Sequence, residues 1–190
     1  MPELTFSHDH LLLDACCVIN LYASFQMEPI LSAIPIQVAI SDYVKDQEAL
    51  TILGGPDEDV SKEVIPVEVQ PMVDSGLIEV VILDIEGESE TYVNLAADLD
   101  DGEAISGAIA IHRNWGIGTD EKKATNIFKR DAPQIQVIST PELVKHWADS
   151  DNPSSEEISK ALNNIHWRAR YIPNISHDLY SWWIQLESAR

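Results

Sequence analysis

The chain has 190 residues and a mass of 21.2 kDa, and its 45% hydrophobic content is enough to close a core of ordinary single-domain size. Its 32 acidic residues face 12 basic ones, and the resulting formal charge of −20 excludes capture of nucleic acid by bulk attraction; a polyanionic substrate must be held by local basic residues, by metal or by a partner chain. No apolar run approaches the roughly 18 residues of a spanning helix, no basic region followed by an apolar stretch marks a leader, and the adjacent Cys16 and Cys17 are badly placed for a disulfide, so the expected location is a reducing, cytoplasmic one without membrane contact.

Leu11-Leu12-Leu13 ends in Asp14 and passes into Val18-Ile19-Asn20-Leu21-Tyr22, the pattern of a buried strand feeding a helix. Val38-Ala39-Ile40 is a second short strand, followed by Ser41 and Asp42 as N-caps for a helix over Tyr43 to Leu53. From Gly54-Gly55-Pro56 to Pro66, breakers and acids predict a mobile loop. Leu77 to Leu83 is a third strand, and Glu86 to Asp98 has helical spacing. Asp100-Asp101-Gly102-Glu103 opens an Ala- and Ile-rich helix running to about Asn114. Ile117 to Thr119 is a short strand ending at Asp120, Glu121 to Lys129 a helix, and Ile135 to Ile138 a fifth strand. Thr140-Pro141-Glu142 then opens a helix through Trp147, with proline in its first turn.

Strands alternating with helices imply right-handed crossovers and an α/β fold, with a central, mainly parallel sheet flanked by helices. One domain is expected over residues 1–150. The polar stretch Asp149 to Ser155 sets off an extension over 151–190, with a helix from about Ser154 to Arg170 and an aromatic tail carrying Tyr180, Trp182 and Trp183, which packs on the same core or on a partner.

Sites in open parallel sheets form beyond the carboxyl ends of strands, and Asp14 and Asp120 both stand there. Glu103, at the start of a helix whose next residues are apolar, can point toward the same pocket. Several carboxylates brought together raise one another's pKa, a cost that a divalent cation removes. Oxygen-only ligands suit Mg²⁺ or Mn²⁺, which polarise phosphoryl oxygens and activate water, so the expected chemistry is phosphodiester hydrolysis. Asp46 or Glu48 would extend the ligand set if either faces inward. Lys122, Lys123, Lys129 and Arg130 follow Asp120, with Arg113 near in sequence; they are candidates for holding phosphate, as is the Thr119 hydroxyl, and a solvated helix face explains the same run.

The segments LLLDACCVINLYAS, ISDYVKDQEAL and LDDGEAISGAIAIHRNWGIGTDEKKA, in this order and spacing, resemble the PIN domain, a nuclease family that includes toxin ribonucleases of toxin–antitoxin pairs. The resemblance covers roughly Leu11 to Ile138. It implies a PIN-like three-layer fold and a Mg²⁺- or Mn²⁺-dependent endoribonuclease. The implied ligands are Asp14, Glu103 and Asp120, with Asp46 or Glu48 completing the site and Glu121 an alternative to Asp120. The expected partners are RNA, a small antitoxin-like protein occluding the pocket, and a second copy of the chain. Cys16 stands where family members commonly carry a small polar residue. Two other readings compete: a PIN-like module whose site has decayed to metal or partner binding, and a phosphatase using Asp14 as nucleophile, which lacks the second Asp expected two residues on. His8-Asp9-His10, His112, His146, His166 and His177 anchor no site in this pattern, and Trp182-Trp183 is assigned to packing.

Overall fold

In the computed structural model, which describes residues 4–55, 63–84 and 86–188, the strand His10–Leu13 (β1) is buried on both faces. Leu11 and Leu13 pack on one side and Leu12 on the other, as the two-residue period of a strand requires. β1 is central because both of its edges are paired in parallel, to Gln37–Ser41 (β2) and to Gly116–Gly118 (β6). Ile78–Val81 (β5) extends the sheet beyond β2 and Val137–Ile138 (β7) beyond β6, giving the order β5-β2-β1-β6-β7. The protein is thus α/β, with a five-stranded parallel sheet between two helical layers.

One layer is built from Ala15–Ala23 (α1), Met27–Ala33 (α2), Thr140–Ser150 (α7), Ser155–Asn164 (α8) and Tyr180–Glu187 (α9), and it shares a core with Leu11, Leu13, Val38 and Ile40. Trp183 and Leu162, from the 151–190 segment, are fully buried in that core. The other layer comes from Glu88–Leu95 (α4), Asp101–Arg113 (α5) and Lys122–Asp131 (α6), packed on Leu12, Ala39 and Ile117. None of the described helices is long and apolar enough to cross a membrane.

The expected helix over Tyr43 to Leu53 is cut short at Glu48 and is mostly π-helical. Ser41 Oγ accepts the Val44 N–H at 3.1 Å and starts a single π-helical turn, Val44–Glu48, which the Ala49 N–H closes onto Val44 O at 2.8 Å. The chain then turns into Thr51–Leu53 (β3), which pairs antiparallel with Val64–Pro66 (β4). The β-branched Thr51-Ile52 suits a strand, and Ile52 is buried beneath the hairpin. Of the loop expected over 54–66, residues 56–62 lie outside the described residues, and the end of it is β4 itself. Gln70–Asp74 (α3) and α2 are further helices that the apolar spacing did not signal. The terminal helix is shorter than expected, passing at Ile165 into a π-helical turn that ends at Ala169, before Arg170 in the left-handed region.

Candidate functional site

The strand order sets where a site forms. From β1 the chain winds outward through β2 to β5, then returns across the sheet to β6 and β7, so β1 and β6 flank the point where winding reverses. Beyond their carboxyl ends the loops diverge and leave a crevice. Asp14 closes β1 there, its N–H bonded to Gly118 O at 2.9 Å. Its side chain caps α1, with Oδ1 accepting the Ala15 N–H at 2.7 Å. Oδ2 accepts the Thr119 hydroxyl and the Cys16 thiol, each at 3.3 Å. The Cys16 thiol and the Thr119 hydroxyl thus orient the outer oxygen of Asp14.

Glu48 and Glu103 both lie near enough to Asp14 for its charge to act on them. Glu48 ends the π-helical turn after β2, and its carboxylate accepts the Gly102 N–H at the start of α5. Glu103 lies one residue further along α5, whose N-cap Asp100 takes the Glu103 N–H at 3.0 Å and is a second acid facing the group. Burial, then the Asp100 charge, raises Asp14 to about 6. Glu48 and Glu103 are each raised to about 7 by burial, then by Asp100 and Asp14. None of the three makes an ion pair among the described residues. These three carboxylates offer hard oxygen donors of the kind that suits Mg²⁺ or Mn²⁺, but they are not among the described side chains whose ligand atoms lie within 4.8 Å of one another.

Asp46 is not in this group. It turns outward to Lys45 at 2.8 Å, while Glu48 at the end of the π-turn reaches the Gly102 N–H. Asp120, behind Cys16, is likewise directed elsewhere. Its Oδ1 accepts the Thr140 N–H and the Tyr171 hydroxyl, each at 2.9 Å, and Oδ2 accepts Asn20 Nδ2 at 2.8 Å and the Thr140 hydroxyl at 2.5 Å. These donors occupy both oxygens, and Cys16, Cys17 and Asp120 bring ligand atoms within 4.8 Å of one another, a group that could hold a metal. Burial raises its pKa and the surrounding donors oppose that. Glu121, the N-cap of α6, is exposed and close enough to Glu103 to raise its pKa.

The expected basic residues divide. Arg113 is committed to the fully buried Glu88 at 2.8 Å and to Asp84 at 3.2 Å. Lys123 binds the Asp98 carbonyl, and Arg130 pairs with Asp131 at 2.6 Å. Lys122 and Lys129 have no such partner among the described residues, and both line a cavity of about 800 Å³ that also reaches Thr119 and Glu121. Its far wall is the segment from Tyr171 to Leu179, which no sequence motif had marked. No protein-family model matches this chain, and no curated protein matches it in sequence.

Proposed function

We propose that the chain is a metal-dependent endoribonuclease, PIN-like as its sequence segments suggest, with Asp14, Glu48 and Glu103 as metal ligands and Glu121 at the margin. What supports this reading is that the Asp14 charge raises the pKa of both Glu48 and Glu103, that the three groups stand at about 6 to about 7, and that none of them forms an ion pair among the described residues. A divalent cation held there would supply Lewis-acid polarisation of a phosphate oxygen and activation of water at neutral pH. The protein's own part is to hold the ligands still: Ala15 N–H, Cys16 and Thr119 fix Asp14, Gly102 N–H fixes Glu48, and the Asp100 cap fixes the backbone of Glu103. Lys122 stands beside the crevice to take a phosphate of the strand. In the hydrolysis a water oxygen bonds to phosphorus, the ester bond to the departing nucleoside breaks, and that oxygen leaves protonated. Free cysteines fit a reducing cytoplasm.

The test is cleavage of single-stranded RNA in Mg²⁺ or Mn²⁺, with the chelated protein and Asp14→Asn alongside. Loss of cleavage in both supports the proposal, whereas undiminished cleavage by Asp14→Asn overturns it. Tight Mn²⁺ binding with no hydrolysis of varied RNAs would identify a metal-binding module instead.

A further inference from the structure

The cavity beside the carboxylates has two chemically different walls. On one, Lys122, Thr125 and Lys129 recur at spacings of three and four along α6 and so share a face, with the lysines about 10 Å apart along the axis. The same wall contains the N-terminus of α6, where Glu121 makes no side-chain cap, so the first-turn N–H groups and the helix dipole remain available to an anion. On the other wall Ile172 is 39% exposed, and His177 is fixed through both ring nitrogens: Nδ1 accepts the Leu179 N–H at 3.1 Å and Nε2 meets Ser139 Oγ at 3.0 Å. An apolar side chain and a ring that cannot rotate form a surface for a planar partner, at little further entropic cost.

Five acids line the cavity beside Lys122, Lys129 and Lys145; Glu121 and Asp178 are two of them, and the other three are each held by donors within the protein. Asp120 accepts at both oxygens, Glu142 takes the Ser139 N–H and hydroxyl at 2.7 and 2.6 Å, and Asp149 pairs with Lys145 at 2.5 Å. The volume of about 800 Å³ lies within the usual range for small-molecule sites, roughly 300–1,000 Å³. Thr119 and Glu121 belong to both this cavity and the rim of the carboxylate crevice.

We infer that the cavity is a nucleotide subsite, holding the residue of single-stranded RNA next to the scissile phosphate. Its phosphate lies against Lys122, Lys129 and the α6 N-terminus, and its base against Ile172 and His177. Asp120 is a positioning residue for this subsite, because it ties Tyr171 to the N-terminus of α7 and so holds the far wall in place. The inference rests on the nuclease reading for its substrate class.

The experiment is calorimetric titration of the full chain with adenosine 5′-monophosphate in excess chelator, where no cleavage chemistry operates. Saturable binding is expected for the wild type and for Asp14→Asn. The Lys122→Ala/Lys129→Ala double variant should bind about tenfold more weakly or worse. Ile172→Ala should weaken the nucleotide but not inorganic phosphate. No saturable binding, or equal affinity in the lysine double variant, overturns the subsite. Nucleotide binding by a chain that cuts no RNA keeps the subsite and removes the nuclease; cleavage without nucleotide binding does the reverse.

Discussion

The carboxylate of Glu48 rests on Gly102 so closely that a Cβ at position 102 would stand 1.8 Å from its Oε2. Only glycine lets the π-turn after β2 and the first turn of α5 meet at this distance. Gly102→Ala must therefore push Glu48 out of the crevice, although alanine favours the helix itself by roughly 0.5–1 kcal/mol. The expected outcome is a folded protein whose melting temperature no longer rises with Mn²⁺, while that of the wild type does. An unchanged Mn²⁺ response would remove Glu48 from the ligand set.

Glu48 and Asp46 separate by substitution. With its carboxylate over the crevice, Glu48→Gln should lower metal-dependent RNA cleavage by roughly 100-fold or more, the scale on which metal sites respond to lost support. Asp46→Asn removes only an exposed pair with Lys45 and should leave the rate within about twofold. Initial rates at saturating Mn²⁺ decide between them, and the reverse order would return the assignment to Asp46.

The sequence signalled the alternation of strands and helices because β1, β2, β5 and β7 lie in short apolar runs, and Asp14 was visible because it follows one directly. Glu48 was ambiguous for a physical reason. Over an α-helix Asp46 and Glu48 face nearly opposite sides, and nothing local announces the π-turn that decides which one turns inward. Asp120 was ambiguous because a strand-end acid looks the same whether it faces the crevice or the helices behind it. Its donors, Asn20, Thr140 and Tyr171, come from distant parts of the chain. The far wall of the cavity was silent for the same reason, being a stretch without periodicity that gains meaning only beside α6.

Asp120 and Glu121 should consequently respond in opposite ways. Asp120→Asn places an amide NH₂ among groups that all donate, and an unsatisfied buried group of this kind costs about 1–3 kcal/mol in urea denaturation. Its stabilisation by Mn²⁺ should persist. Glu121→Gln, at an exposed cap, should change stability by less than about 0.5 kcal/mol while weakening the Mn²⁺ response. Loss of Mn²⁺ stabilisation in a well-folded Asp120→Asn protein would restore Asp120 as a ligand.

The raised carboxyls also set how the metal-free protein responds to pH. In the unfolded chain these groups lose their protons near about pH 4, but in the folded protein Asp14 holds its proton to about 6 and Glu48 and Glu103 to about 7. Between those limits these three groups bind more protons in the folded state, so their contribution to stability falls as pH rises and is greatest below the unfolded values. Repulsion across a chain of charge −20 acts in the same direction, so the comparison must be between variants. Glu103→Gln removes one of the coupled charges, and without metal it should exceed the wild type in stability at pH 7.5 by on the order of 1 kcal/mol after solvent screening, with the gap closing at pH 5. Saturating Mn²⁺ should reverse the order at pH 7.5, because the wild type then gains binding energy that the variant lacks. Urea denaturation at the two pH values, with and without Mn²⁺, reads both effects. A Glu103→Gln protein no more stable than the wild type at pH 7.5 without metal would mean that Glu103 is not crowded by its neighbours, and the electrostatic case for a cation in the crevice would fall with it.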